Sequence, residues 1–145
     1  MGAGWSRRGA GEEAAGAFAV EPDMKTVAAA LPKSAKGGAV NNQNVQATFK
    51  FDNCLVDASQ EEVYTACAEG VVDGVLEGIN GTIFAYGQTG SGKTFTMSGD
   101  NSSYVQRGII PRAAHHIFRE IESRVDRAVT VRVSSLATYN EEPYD

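Results

Sequence analysis

The 145-residue sequence predicts an α/β fold in which a buried parallel strand passes through a glycine-rich loop into a helix. Three observations predict it. "TIFAY" (82–86) is short, apolar and rich in β-branched and aromatic residues, the composition of a strand covered on both faces. "GQTGSGKT" (87–94) follows at once and "KTFTM" reads as helical. Upstream, "DASQEEVYTACAEGVVDGVLEGI" has apolar residues at Val63, Cys67, Val71, Val75 and Ile79, a four-residue recurrence that gives one buried helical stripe.

Taken in order, residues 1–19 are rich in Gly and Ala and weakly periodic, so a poorly ordered leader is expected, with the folded domain over 20–145. Residues 20–44 carry Pro22, Pro32 and a "KGG" turn, and are expected to be irregular or weakly stranded. In "QATFKFDNCL", Ala47, Phe49 and Phe51 alternate with polar residues, the period of a half-buried strand. Ser59 with Glu62 three positions later is a capping-box signal for the helix that follows. Asp73 falls on that helix's polar side. "SGDNSSYVQRG" (98–108) reads as a polar loop. A further helix is predicted through "IIPRAAHHIFREIESRV", with Ala114, Ile117, Phe118, Ile121 and Val125 on one side. His115 and His116 are adjacent, point about 100° apart, and are read as exposed or partly packed rather than as metal ligands. "AVTVRV" (128–133) alternates like a strand.

Composition narrows the function. Hydrophobic residues make up 42% and charged residues 21%, which suits a globular core. A net charge of −5 argues against nucleic acid as a partner, since no strong positive field is available. No apolar run approaches the roughly 20 residues that span a bilayer, so no membrane association is expected. Cys54 and Cys67 form no metal-like spacing and read as reduced, inert core thiols.

The loop carries the chemistry. Gly87, Gln88, Thr89, Gly90, Ser91, Gly92, Lys93 and Thr94 fit G-x-x-x-x-G-K-[ST] without a mismatch. Glycines at 87, 90 and 92 allow the backbone to bend so that several N–H groups converge on a phosphate. Lys93 is expected to reach the β- and γ-phosphates of ATP, and the Thr94 hydroxyl to ligate Mg²⁺. Hydrolysis also needs an acidic residue at the end of a second core strand. "AVTVRV" leads instead into Ser134 and Ser135.

"FKFDNCLVDASQEEVY", "GINGTIFAYGQTGSGKTFTM", "RGIIPRA" and "VRVSSLATYNE" together resemble the amino-terminal part of a kinesin motor domain, over roughly residues 40–145. "VNN" (40–42) ahead of "FKFD" is similar to the cilium- and flagellum-associated ninth class. The resemblance implies a three-layer P-loop NTPase fold, incomplete here, with ATP and Mg²⁺ as ligands and the microtubule (tubulin) as partner. It also implies a cytoplasmic, cytoskeletal location, with a cilium or flagellum as the finer expectation. Phe95 falls at the position that lies near adenine in kinesins, and Pro22 in "AVEP" is the counterpart of the base-flanking R-x-R-P, with both arginines missing. "SSLATYNE" departs from the family's S-Y-L-E-I-Y-N-E at Ser135 and Ala137. Neither switch I (N-x-x-S-S-R-S-H) nor switch II (D-L-A-G-S-E) occurs, so no catalytic residue is assigned. The 145 residues alone are expected not to turn over ATP at a microtubule-stimulated rate. Two alternatives belong to other classes: a non-catalytic interaction module on a shortened motor fold, and a small P-loop phosphotransferase drawing on Arg107, Arg112, Arg119 and Arg124. Oligomeric state is not legible.

Overall fold

The computed structural model describes residues 3–6, 18–30, 46–100, 102–125, 128–139 and 142–144. "VNN" and the "KGG" turn fall outside them.

Strands β2 (Phe18–Val20), β3 (Thr26–Ala30) and β4 (Gln46–Lys50) form an antiparallel sheet in that order. Asp23 shapes the β2–β3 turn. Its carboxylate accepts from the Lys25 and Thr26 N–H groups at 2.9 Å and from the Thr26 hydroxyl at 2.7 Å. These bonds, the Lys25 N–H first, hold its carboxyl below the usual range. The predicted alternation does form a strand over Gln46–Lys50, yet Phe49 and the following Phe51 remain partly in solvent. β5 (Asn53–Val56) pairs in parallel with β1 (Ala3–Ser6), which lies within the Gly/Ala-rich leader. A hairpin of β6 (Ala137–Tyr139) and β7 (Glu142–Tyr144) comes last.

The long helix starts where its capping box predicts. α1 (Gln60–Tyr64) is capped by Ser59, whose N–H donates to Glu62 Oε2 at 2.7 Å while its Oγ accepts from the Glu62 N–H at 3.2 Å. It continues through a π-helical turn (Thr65–Glu69) into α2 (Gly70–Leu76). That turn corrects the predicted stripe. A π turn inserts one residue, so the inward positions run Val63, Tyr64, Ala68, Val72 rather than 63, 67, 71, 75. Val75 is exposed in consequence, and Ile79, beyond the end of α2, is exposed as well. Cys54 is buried and Cys67 half-buried, both as free thiols, and burial pushes the Cys67 thiol up.

α3 (Lys93–Met97) and α4 (Ile109–Ser123) complete the helices, with a 3₁₀ turn (Tyr104–Gln106) between them. The core gathers Val63, Tyr64, Ala68 and Ile109, with Leu55, Ile83, Met97 and Ala113 packed around them. α4 therefore turns Ile109, Ala113 and His116 inward, not the predicted Ala114–Phe118–Val125 side. Ala114, Ile117 and Phe118 line instead an open apolar groove of about 340 Å³ with Val71, Val75, Ile83, Val131 and Val133.

The two predicted parallel strands are the main correction. Neither 82–86 nor 128–133 forms a ladder with any described segment. β-propensity selects residues that suit a pleated surface, but a strand exists only when a second backbone accepts its N–H groups. Phe84 and Tyr86 are accordingly 80% and 94% exposed. The molecule mixes helices and sheets, and of its described strand pairs only β1–β5 is parallel.

Candidate functional site: the glycine loop

The loop emerges from 82–86 and closes on α3. Gly90 and Gly92 have φ of 80° and 90°, the left-handed region that a Cβ disfavours, and Gly92 is the residue from which α3 begins. At Gly87 a Cβ would stand 2.5 Å from Ser91 Oγ, so any side chain there would force Ser91 to turn away. Ser91 N–H closes a turn on the Gln88 carbonyl at 3.2 Å. Among the described residues, the N–H groups of Thr89, Gly90 and Gly92 take no protein acceptor, which leaves several donors grouped within four positions. Exposed donors of this kind form an anion cradle.

Lys93 spans the loop. Its Nζ donates to the Gly87 and Gln88 carbonyls, each at 2.8 Å, so the cation is held by neutral acceptors rather than by a carboxylate. Among the described residues no carboxylate forms an ion pair with it. Thr94 is exposed at the start of α3, and Phe95 is half-buried on the same short helix. Pro22 is exposed in the β2–β3 turn, on a different part of the molecule's scaffold. Gln88, Thr89, Gly90 and Ser91 are all exposed, open to a ligand from solvent.

The segment after the loop is pinned at both ends. Gly99 bridges Arg107, the Asp100 N–H donates to the Gln106 carbonyl at 2.9 Å, and the Gly108 N–H donates to the Ser98 carbonyl at 3.2 Å. Gly108 passes so close to α3 that a Cβ there would meet the Thr96 carbonyl oxygen at 2.6 Å. Arg112 adds bonds from Nε to the Arg107 carbonyl at 2.9 Å and from Nη2 to the Val105 carbonyl at 3.0 Å. Arg124 Nη1 donates to the Leu76 carbonyl at 3.2 Å. Arg107 lies over the Tyr104 ring at 4.9 Å. These three guanidiniums hold loops and helix ends together, which is not the free clamp that a second phosphorylated substrate requires.

Sequence reasoning missed a buried polar relay. His115 is exposed as predicted, but His116 is buried, with Nδ1 2.8 Å from the Tyr64 hydroxyl and Nε2 3.3 Å from Asp73 Oδ1. A carboxylate can only accept, so Nε2 carries a proton toward Asp73, and in the neutral ring Nδ1 then accepts from Tyr64. The signal was the shared side of Tyr64 and Asp73, visible only once the π turn is counted. Two concavities, the apolar groove and one of about 290 Å³ between α1 and α4, lie away from the glycine loop. Among the described residues no cluster of His, Cys, Asp or Glu could hold a metal ion by itself.

A segment of strand-like composition, a glycine loop ending in Lys-Thr and a short helix sit in a chain of mixed α and β structure. The family model "Kinesin motor domain" matches residues 12–145, and the chain belongs to that family. It is 54% identical over 124 residues to "Kinesin-like protein KLP1" of Chlamydomonas reinhardtii, covering 86% of this chain. It is 50% identical over 123 residues to "Kinesin-like protein KIF9" of Homo sapiens, covering 85% of this chain. The likeness to KIF9 agrees with the ninth-class resemblance. The chain spans 16% of the length of each of these relatives.

Proposed function

We propose that this chain is the ATP-cradling part of a microtubule-based kinesin motor. One observation carries the reading: loop N–H donors grouped without an acceptor among the described residues, beside a lysine that donates to two loop carbonyls. The N–H groups of Thr89, Gly90 and Gly92 would receive phosphate oxygens. Lys93 would exchange its two carbonyl acceptors for β- and γ-phosphate oxygens, a better match for a cation. The Thr94 hydroxyl, exposed at the head of α3, would ligate Mg²⁺. Bound Mg²⁺ neutralises phosphate charge, and this chain's residues orient the triphosphate. Phe95 and Pro22 are the candidate contacts to adenine. The three-layer sheet arrangement, the boundary at residue 20 and the microtubule as partner belong to the same reading, as does a cytoskeletal location, in a cilium or flagellum. In kinesins, nucleotide state moves the switches and so changes microtubule affinity.

Labelled-ATP retention by the parent chain and by Lys93→Ala, with Mg²⁺ present, tests the core of it. The parent is expected to retain nucleotide and the variant to lose at least about tenfold in affinity, the cost of a charge-assisted contact. Equal retention by both ends the proposal.

A further inference from the structure

Gln60 opens α1, yet its side chain faces the interior, and the residue is 6% exposed. A buried amide is retained where it has a partner. Here Nε2 donates to the Phe95 carbonyl at 2.8 Å, across 35 positions of sequence. Phe95 is the middle residue of α3, which has five residues and ends at Met97. The next two N–H groups, of Ser98 and Gly99, both turn back onto the Thr94 carbonyl, at 2.8 and 3.3 Å. The Phe95 carbonyl lies in the last turn of α3, where helix carbonyls draw on partners from outside the helix, and Gln60 is one that reaches it. Gln60 is itself anchored, since the Ser59–Glu62 capping box fixes the turn that carries it. On the other side of Phe95, two residues away, stands Lys93, and the Thr96 N–H donates to the Gly92 carbonyl at 2.9 Å in the same turn.

We propose that Gln60 is a positioning residue for the nucleotide: by holding the Phe95 carbonyl it fixes α3 and so sets where Lys93 and Thr94 stand. This rests on the nucleotide reading above. α3 is too short to be stable alone, because a single helical turn fixes more dihedrals than it gains hydrogen bonds. Its place is set by what grips it, and Gln60 grips it from α1.

The test uses the whole chain. Gln60→Met keeps length and removes the donor, and Gln60→Glu keeps shape while setting an acceptor against the carbonyl. Labelled-ATP affinity is measured beside the melting temperature and amide exchange at Ser98 and Gly99. The expected result is a loss of about tenfold in affinity, the scale of an unmade buried hydrogen bond, with faster exchange at both amides. If Gln60→Met fails to fold, Gln60→Glu is judged by the same readings. Unchanged affinity in the folded variants, even with a lower melting temperature, overturns the proposal, while loss of retention in Lys93→Ala leaves the nucleotide reading standing. A parent chain that retains no nucleotide overturns both.

Discussion

At the scale of the residue, the Ser59–Glu62 pair offers the most direct measurement. Ser59→Ala removes the acceptor for the Glu62 N–H and is expected to cost about 1 kcal/mol, read by denaturant midpoint. The pair is also pH-dependent. The Ser59 N–H, and then its hydroxyl, hold the Glu62 carboxyl below its ordinary value of 4.5. A depressed acid stabilises the fold above the unfolded value and loses that contribution as pH falls through the lower folded one. Alanine keeps the N–H, so only the hydroxyl's share of the Ser59→Ala deficit should shrink on acidification below about 4.5. A deficit that is flat with pH would separate the cap from the carboxylate's charge.

Between elements, the Tyr64–His116–Asp73 relay joins α1, α2 and α4. Tyr64→Phe leaves the buried Nδ1 acceptor of His116 without its donor, and a loss of about 1–2 kcal/mol in unfolding free energy is expected. Burial, with Glu69 and Asp73 nearby, pushes the Tyr64 phenol above its ordinary 10.0. The unfolded chain thus ionises first, and the parent, but not Tyr64→Phe, should lose this contribution as pH climbs past that value. The elements also mark what a sequence can tell. Ser59 and Glu62 announce the start of α1 because a cap is a local bond three residues long. Likewise the bends at Gly90 and Gly92 follow from residue type. Periodicity assumes a uniform turn, and one π turn after Tyr64 shifts every later position off the predicted stripe of the long helix. The segments 82–86 and 128–133 have strand composition, but pairing is a property of a second chain segment that composition does not name. Gln60 follows the cap directly, and its reach to Phe95 is a long-range fact of the same kind.

For the whole molecule, apolar exposure dominates. The groove between α2 and α4 is lined by Val75, Ile83, Phe118, Val131 and Val133, and Phe84, Tyr86 and Leu136 add large apolar surfaces in solvent. Contiguous patches of this kind drive association unless something covers them. The chain should bind an environment-sensitive apolar dye strongly and associate with rising concentration. Phe118→Ser should reduce both readings by clearing the groove's rim without touching the buried face of α4. A dye-silent, monomeric parent at high concentration contradicts this view.

The segment tied off by the Gly99–Arg107 bridge and by Arg112 has a practical side. Its two ends already meet, so extra residues spliced between Ser102 and Ser103 merely enlarge a ring, and doubling that ring costs only about 0.6 kcal/mol. A peptide epitope or fluorescent reporter placed there should leave the melting curve nearly where it was. The same graft at Gly108, wedged against α3, should not be tolerated.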